Sequence, residues 1–405
     1  MANILGINLS EFSYKEVLEK INVFLLDGKQ HYIVTPNPEI ILASHVDEEF
    51  FYILNEADIS LADGFGLKIA TWIFGDKVPR ITGADITVEI LKMAASNKIK
   101  VVILNWENGL SSIDDITDAL TKKFSGLVFS VININRDKFL NQTVIDEINK
   151  LAPTILFNTL GFPYQEKLLY HNLKKLPSIK LGLGIGGSFD FITEKIKRAP
   201  KIFRSIGMEW FWRLLNAFNY KNTGSRIKRI YRAIFVFLAE VLKVRFINPR
   251  VFRKNVACLL YKREGSEISI LIVERTDIPG HWQLPQGGTD GEDLKTAGSR
   301  ELREELGTDK FIPRATFKKV HRYEFKLRDK HEVENLKKFK FFYKGQSQGL
   351  LVAEFTGTDN DIKINFWDHQ KFKWVKLDKF IESVHPVRME GYKEFLKKFQ
   401  TLNIK

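Results

Sequence analysis

The chain has 405 residues, of which 44% are hydrophobic and 27% are charged. This length exceeds one typical hydrophobic core, and the composition excludes a disordered protein, so two folded domains are expected. The formal net charge of +13 favours an anionic partner: nucleic acid, acidic lipid or a phosphorylated substrate. The single cysteine, Cys258, excludes an internal disulfide and fits a reducing cytosol. No basic stretch followed by a long apolar run opens the chain, so no signal peptide is expected.

The first half of the chain alternates short apolar runs with amphipathic helical patterns. This alternation predicts a parallel α/β sheet. The predicted strands are 31–36, 99–105, 127–133, 153–161 and 179–187. The glycines between 182 and 187 also satisfy a dinucleotide-binding pattern, but a Phe-Asp-Phe turn follows where the pyrophosphate helix should begin, which argues against NAD.

Residues 225–246 predict one basic amphipathic helix. Apolar side chains recur there with helical spacing, and basic side chains occupy much of the remaining surface. The uninterrupted apolar run covers only 233–239, which is too short to span a membrane. The pattern alone leaves two interpretations open: a helix lying in an anionic membrane surface, or a helix docked on its own domain. A short linker is predicted at 246–255.

After the linker the pattern changes to that of an α+β domain, with strands predicted at 256–263 and 268–275. A Gly-rich loop and a charged helix follow. Glu301, Glu304 and Glu305 stand at i, i+3 and i+4 and therefore share one face of this helix. Such clustering is costly without a cation, which neighbouring arginines or a divalent ion could supply. Taken alone, these residues also fit an ordinary solvated helix.

The wider stretch 287–308 resembles the Nudix box. The seven-residue spacing after Glu292 and the whole of 300–307 match the family pattern. Two departures occur: four residues instead of five separate Gly287 from Glu292, and Thr308 replaces an apolar residue. Neither departure removes a carboxylate.

The resemblance implies an α/β/α sandwich that hydrolyses a diphosphate bond with Mg²⁺ or Mn²⁺. Glu301, Glu304 and Glu305 are implied to hold the metal, and Arg300 to orient these glutamates by ion pairing. Glu304 or Glu305 is the implied catalytic base. Cleavage of a diphosphate requires neutralised oxygens and an activated water, and metals supply both.

Further segments look like the Nudix branch that acts on dinucleoside polyphosphates and 5′-triphosphate RNA ends. They are 282–288, 343–357, 372–375 and 387–399. Basic residues in this region suit a phosphate-rich substrate, although each alone is more often a solvated surface charge. They are Lys318, Lys319, Arg322, Lys337, Lys338 and Lys340.

Five ordered segments of the first half resemble the WecB/TagA/CpsF glycosyltransferases, glycosyltransferase family 26. They are 35–40, 57–70, 79–86, 161–166 and 184–215. The resemblance implies a Rossmann-like domain that moves an N-acetylhexosamine-type sugar, with inversion and without a metal. The implied donor is a UDP-sugar, and the implied acceptor is a saccharide on polyprenyl diphosphate.

By the same resemblance, Asp63 is the general base that deprotonates the acceptor hydroxyl. It precedes a glycine at the carboxyl end of a predicted strand, where open α/β sheets bind ligands. Thr35, Asn37, Arg80 and Gln165 are implied to line the substrate pocket, with Arg80 neutralising the donor diphosphate. Capping, turn formation or a helix start is the commoner meaning of such residues outside this family.

The chain departs from the family pattern at 101–109, where VVILNWENG replaces a Gly-rich strand end. Trp106 and Glu107 are therefore expected to alter the nucleotide or sugar pocket. The motifs do not predict which donor sugar is used.

Together the resemblances predict a bifunctional bacterial enzyme, cytoplasmic and peripheral on the inner face of the cell membrane. Residues 1–224 are the expected glycosyltransferase, 225–250 the basic helix and linker, and 251–405 the Nudix hydrolase. The family's C-terminal appendage is associated with membrane attachment, which favours the membrane-surface interpretation of 225–246.

Expected partners are a UDP-sugar, a polyprenyl-diphosphate-linked acceptor, a nucleotide or RNA 5′ end, the membrane surface, and a second copy of the chain. The alternative function is an active glycosyltransferase with a Nudix half that senses nucleotides without cleaving them.

Overall fold

The computed structural model describes residues 1–200, 223–325 and 343–402, together with Phe203 and Trp212. The chain forms two compact units, which divide in sequence between Arg245 and Phe246. The predicted basic residues Lys337, Lys338 and Lys340 lie outside the described residues, as does most of 201–215. No described helix is both long and apolar enough to cross a bilayer.

The first unit contains a hairpin and a larger sheet. Its described strands are β1 Ala2–Ile4, β2 Ile7–Leu9, β3 His31–Val34, β4 Ile59–Ser60, β5 Lys100–Trp106, β6 Val128–Ile134, β7 Ile155–Asn158 and β8 Leu181–Gly184. β1 and β2 form the antiparallel hairpin. The other six form a parallel sheet in the order β4-β3-β8-β7-β5-β6. The parallel α/β prediction and its five strands are thus confirmed.

Helices connect these strands. They are α1 Tyr14–Leu26, α2 Pro38–Ser44, α3 Glu48–Asn55, α4 Phe65–Phe74, α5 Gly83–Asn97, α6 Ile113–Lys123, α7 Gln142–Leu151, α8 Tyr164–Asn172 and α9 Ser188–Ile192. Side-chain caps fix several of their starts, including Ser13 before α1 and Thr82 before α5. Helices pack on the sheet and enclose an apolar core to which Ile33, Val101 and Leu181 contribute. Because every strand runs the same way, the loops that follow them all emerge at one edge of the sheet.

The predicted amphipathic helix is present and is one continuous helical segment. It consists of α10 Thr223–Tyr231, a π-helical part Arg232–Val236, α11 Phe237–Leu242 and a second π-helical part Lys243–Ile247. The buried face includes Phe237 and Val241, and the segment packs against α2 and α4. The segment is in contact with Gly66 of α4, since a Cβ there would lie 3.7 Å from the Ala233 carbonyl oxygen and 3.8 Å from Cδ1 of Phe237, both ordinary contact distances.

The second unit is a mixed sheet between two helices. Its described elements are β9 Phe252–Glu264, β10 Glu267–Arg275, β11 Trp282–Gln283, β12 Gln286–Gly288, α12 Leu294–Leu306, β13 Phe311–Glu324, β14 Gly345–Phe355, β15 His369–Lys376 and α13 Met389–Gln400. The strand order is β11-β10-β9-β14-β13, with β12 paired to β9 and β15 to β10. The linker prediction is wrong for 252–255, because these residues already belong to β9 and pair with β14.

Side chains of β9 point alternately to the two faces of this sheet. Ala257 and Leu259 join the core that contains Phe395 of α13. Cys258 and Leu260, from the intervening positions, join the core beneath α12. The helix–sheet–helix sandwich implied by the Nudix resemblance is therefore confirmed.

Gly298 allows α12 to lie close to the sheet. A Cβ at this position would lie 2.6 Å from Cδ2 of Leu351 and 3.3 Å from Sγ of Cys258. Gly298→Val should overpack this contact and destabilise the second unit by about 1–3 kcal/mol. Calorimetric unfolding of the full chain measures the effect. Gly224→Val, in α10 with open space around the position, is the matched control, and an equal loss in both variants would contradict the packing argument.

Candidate functional site

The loops after β3 and β4 meet at the carboxyl edge of the parallel sheet. The Asp63 amide donates to the Pro36 carbonyl at 2.9 Å, and the Asp63 Oδ2 accepts from the Gly83 amide at 3.2 Å. Thr35 lies beside the same glycine, since a Cβ on Gly83 would be 3.2 Å from Thr35 Oγ1. The structure therefore brings Thr35 and Asp63 together around the start of α5.

Asn37 stands next to this pair but has a structural task. Its Oδ1 accepts from the Ile40 amide at 3.0 Å and so caps α2, which is the commoner meaning of Asn before Pro. Pro38 packs closely against the first turn of α4, the helix that follows the Asp63 loop, because a Cβ on Gly66 would lie 2.8 Å from Pro38 Cγ. Gly64, with φ of +106°, provides the turn that a side chain would strain.

Gln165 contacts the glycine-rich backbone at the end of β8. It is 3% exposed, its Oε1 accepts from the Gly186 amide at 2.8 Å, and its Nε2 donates to Glu166 Oε1 at 2.7 Å. A Cβ on Gly184 would lie 2.9 Å from this amide group, so the glycine is needed for close packing. Gln165 thus lies at the predicted edge, and its observed bonds hold the glycine-rich backbone in place.

Glu166 is a site neighbour that the sequence interpretation missed. It is fully buried, and its Oε2 has no hydrogen-bond partner among the described residues. Burial raises the pKa of Glu166 to about 7, and the hydrogen bond from Gln165 opposes this rise. Its presence in the GFPYQE segment was visible, but no pattern in the sequence distinguishes a buried glutamate from an exposed one.

The backbone of Arg80 pairs with the backbone of the segment just before Asp63. It forms a parallel bridge with Ala62, and the Ile81 amide donates to the Ala62 carbonyl at 3.1 Å. Arg80 lines a cavity together with Tyr14 of α1 and with Asp85, Val88 and Glu89 of α5. Arg80 therefore borders the Asp63 loop, and its predicted contact with a diphosphate stays a prediction.

Arg300 gathers the acidic residues of the Nudix box. Its Nη1 lies 2.8 Å from both Glu301 Oε1 and Glu304 Oε2, and its Nε lies 3.0 Å from Glu292 Oε2. Nη2 donates to the Gly288 carbonyl at 2.8 Å. Burial alone would lower the pKa of Arg300, but the three carboxylates outweigh it and raise the pKa. The geometry fits the orienting role implied for this arginine.

Glu305 is held by a segment that the sequence interpretation did not single out, Lys363 to His369. His369 Nε2 lies 2.9 Å from Glu305 Oε2, and both side chains are buried. The Asn365 side-chain amide donates to the Glu304 carbonyl at 3.0 Å, and the Lys363 amide donates to the Leu306 carbonyl at 2.7 Å. The segment therefore satisfies carbonyls at the end of α12 and fixes one predicted catalytic carboxylate.

The residues at this site fit a hard divalent cation. Glu301, Glu304 and Glu305 offer only oxygen donors, the type that Mg²⁺ and Mn²⁺ prefer. Gly287 leaves room for the first of them, because any Cβ there would overlap the Glu301 carboxylate. Within the described ranges, no three acidic, histidine or cysteine side chains are already gathered as a metal site. The metal ligands therefore remain a prediction.

The structure combines a parallel α/β unit, with polar residues gathered at the carboxyl edge of its sheet, and a helix–sheet–helix unit with a glutamate-rich helix. Comparison with protein families assigns both halves. Residues 2–250 match the model described as "Glycosyl transferase WecG/TagA/CpsF family", and residues 251–399 match the NUDIX domain. The chain belongs to the WecG/TagA/CpsF glycosyltransferase family and carries a Nudix domain, as both resemblances predicted.

Similar proteins of known function match the first unit. One, from Staphylococcus aureus strain MRSA252, is an N-acetylglucosaminyldiphosphoundecaprenol N-acetyl-β-D-mannosaminyltransferase. It is 28% identical over 246 residues, which cover 60% of this chain and 92% of the relative. The enzyme of the same name from strain NCTC 8325 / PS 47 matches with the same identity and coverage.

Solved structures match the second unit. A binary complex of C. elegans Ap4A hydrolase is 22% identical, covers 37% of this chain and 98% of that chain, and has a TM-score of 0.28. The structure of E. coli dihydroneopterin triphosphate pyrophosphohydrolase is 16% identical and has a TM-score of 0.27. The match covers 37% of this chain and 99% of that chain.

Removal of the His369 imidazole should weaken metal binding by the predicted glutamates. His369→Ala removes the hydrogen bond between His369 Nε2 and Glu305 Oε2, and loss of such an outer-shell partner typically weakens metal affinity by roughly 10–100-fold. Titration of Mn²⁺ followed by electron paramagnetic resonance measures the affinity directly. His369→Gln, which can place an amide donor near the position of Nε2, should recover part of it. Unchanged Mn²⁺ affinity in His369→Ala would contradict this role.

Proposed function

We propose that the first unit transfers an N-acetylmannosamine-type sugar from a UDP donor to N-acetylglucosamine on undecaprenyl or a similar polyprenyl diphosphate. Membership of the family and the activity of the Staphylococcus aureus relatives support this substrate pair. The observation that carries the proposal is the placement of Asp63 at the carboxyl edge of the sheet, next to Thr35 and the start of α5.

In this proposal Asp63 removes the proton from the acceptor hydroxyl as that oxygen attacks the anomeric carbon of the donor. Inversion requires one such base and one attack from the face opposite the leaving UDP. The Gly83 amide fixes the orientation of the carboxylate through Oδ2. Gln165 keeps the β8 backbone at Gly184 and Gly186 in position beneath the reacting groups.

We propose that the second unit hydrolyses a dinucleoside polyphosphate or the 5′ triphosphate of RNA. A divalent metal, when bound by Glu301, Glu304 and Glu305, would neutralise phosphate oxygens and lower the pKa of a bound water. Arg300 forms ion pairs with Glu301 and Glu304, and His369, from the segment Lys363 to His369, is hydrogen-bonded to Glu305. Exposed Lys318, Lys319 and Arg322 on β13 add positive charge that suits such a substrate.

A nucleotide-sensing Nudix module remains the second candidate for this unit. The loop between Gly287 and Glu292 is one residue short of the family pattern. Arg300 also bridges Glu301 and Glu304 where a cation would otherwise relieve their repulsion. Both observations would suit a unit that binds nucleotides without hydrolysing them.

We also propose that the helical segment Thr223 to Ile247 rests on an anionic membrane surface. Its outer face carries Tyr231, Phe235 and Leu242, which are 56%, 59% and 41% exposed and lie at i, i+4 and i+11. Lys228 and Arg232 are exposed as well. The segment packs on α2 and α4, the helices that start just after Asn37 and Asp63. A lipid-linked acceptor would therefore meet the site from the membrane side.

The two activities should separate by substitution. Asp63→Asn removes the base and should lower transfer by roughly 10²–10⁴-fold while Nudix hydrolysis is kept. Glu304→Gln and Glu305→Gln should abolish metal-dependent phosphate release while transfer is kept. Both reactions are measured on the full chain, with UDP-sugar and lipid acceptor in one assay and dinucleoside polyphosphate or triphosphorylated RNA in the other.

The outcomes of these assays distinguish the candidate functions. Full transfer by Asp63→Asn would refute the base. Unchanged hydrolysis in both glutamate variants would refute their roles. Nucleotide binding without hydrolysis by the unaltered protein would establish the sensing module instead.

Membrane binding should depend on the outer face of the helical segment. Phe235→Ser with Leu242→Ser should reduce cosedimentation with vesicles that contain anionic lipid, because less apolar surface enters the interface. Val23→Ser with Leu26→Ser, which removes two exposed apolar side chains from α1, is the control. Equal binding by both double variants would contradict the proposed orientation.

A further inference from the structure

Three side chains form a closed set of hydrogen bonds at the first turn of α5. Thr82 Oγ1 donates to Asp85 Oδ2 at 2.6 Å and accepts from the Asp85 amide at 3.1 Å. Arg198 Nη2 lies 2.7 Å from Asp85 Oδ1 and donates to Thr82 Oγ1 at 3.2 Å. Because a hydroxyl group can donate once and accept twice, the hydrogen-bonding capacity of the Thr82 hydroxyl is fully used. The set therefore fixes the orientation of this hydroxyl and of the cap that it provides for α5.

The same turn is the part of α5 that contacts the Asp63 loop. The Gly83 amide, which follows Thr82 in the chain, donates to Asp63 Oδ2 at 3.2 Å. The Ile81 amide, which precedes Thr82, donates to the Ala62 carbonyl at 3.1 Å. Thr82 thus lies between two backbone amides that hold the loop of the proposed base. A displacement of Thr82 would move both of these amides.

The stability of α5 does not explain the presence of Arg198. Asp85 in the first turn already interacts favourably with the partial positive charge of a helix N-terminus, whereas a cation at that end does not. Arg198 nevertheless brings a cation there, from 116 positions beyond Thr82. The arginine is better explained by what it does to the turn, since its one nitrogen Nη2 contacts both the capping hydroxyl and the Asp85 carboxylate.

The stretch that carries Arg198 is anchored separately on α6. Lys195 Nζ lies 2.9 Å from Asp115 Oδ1, and Lys123 Nζ donates to the Ile192 carbonyl at 2.8 Å. Arg198 therefore extends to α5 from a segment that is held by another helix. It joins residues 79–86 and 184–215, two of the segments that resemble the glycosyltransferase family, beside the loop of the proposed base.

We infer that Arg198 is a positioning residue for the transfer reaction. It holds the turn from Thr82 to Asp85 so that the Gly83 amide keeps the Asp63 carboxylate in one orientation. The inference rests on the proposed transferase function and adds a residue that acts through Asp63. Arg198 also lines the cavity that Arg80 lines, so direct contact with a substrate phosphate is the competing role that the experiment has to separate.

Steady-state transfer by the full chain, with UDP-sugar and lipid-linked acceptor, tests the inference. In Arg198→Ala, kcat should fall roughly tenfold to hundredfold, because a small displacement of a reacting group has an effect of this size. The KM for the UDP-sugar should change little. Arg198→Lys should recover most of kcat, since one nitrogen makes both contacts in the structure. Lys92→Ala, which removes an ion pair with Glu89 further along α5, is the matched control and should transfer as the unaltered chain does.

A second measurement tests whether Arg198 acts through Asp63. In the Asp63→Asn background the proposed base is absent, so the addition of Arg198→Ala should lower kcat less than about twofold, because residues that act as a unit are not additive. If Arg198 binds a substrate phosphate instead, its removal should raise KM and cause the same loss in both backgrounds. That result would overturn the inference.

The results separate failure of the inference from failure of the proposed function. If Asp63→Asn is impaired but Arg198→Ala keeps its kcat, the positioning role is wrong and the proposed base stands. If Asp63→Asn transfers at the full rate, the proposed base fails and the inference fails with it. Should Arg198→Ala not fold, Thr82→Val, which removes the hydroxyl, gives the same comparison against Thr82→Ser, which keeps it.

Discussion

The site of the first unit depends on parallel pairing that continues beyond the strands themselves. The Leu61 amide bonds to the Val34 carbonyl and the Asp63 amide to the Pro36 carbonyl, both at 2.9 Å. These bonds extend the β3–β4 register by several residues, so that two loops leave the sheet side by side. The bridge between Ala62 and Arg80 adds a third segment on the other side of the Asp63 loop. Without this backbone pairing, residues far apart in the chain would have no fixed relation.

In the second unit, the dominant constraint is the repulsion between carboxylates on one helix. Arg300 neutralises Glu301 and Glu304, while Glu305 is buried and relies on His369 and the Gln286 amide. Burial of a carboxylate is tolerated only where hydrogen bonds replace the lost water. Because the glutamates are held from different directions, a cation or a phosphate that enters must compete with bonds that are already formed. This competition is the physical link between the structure and the two functions proposed for the unit.

Much of the fold could be predicted from local sequence patterns. The predicted strand 99–105 is built around the apolar run 101–104, and it is observed as β5. The charged helix predicted after the Gly-rich loop is observed as α12, which ends at Leu306 before Gly307 with its positive φ. The hairpin 2–9 was not identified as a pair of strands, because such short elements carry almost no periodicity. The strand expected before Asp63 is present as β4. The linker prediction overran into β9, because a charged strand start resembles a loop when its partner is unknown.

Some site residues could likewise be predicted from local sequence patterns, and others could not. Glu301, Glu304 and Glu305 sit within one helical turn, so their spacing is readable in the sequence. His369 is 64 positions from Glu305, and only the fold brings them together. Glu166 occurs in a segment of ordinary composition, and its burial depends on neighbours from other parts of the fold. Long-range packing therefore decides the features that motif patterns cannot show.

Cys258 has a further consequence for how this protein can be studied. The thiol lies beneath α12, with Sγ 3.4 Å from the Gly298 carbonyl, and burial raises its pKa. A thiol reagent can reach it only when the helix lifts away from the sheet, since the reactive thiolate is both shielded and disfavoured. The chain has no other cysteine. Its rate of alkylation therefore reports the opening of the very helix that carries the glutamates, without any introduced label.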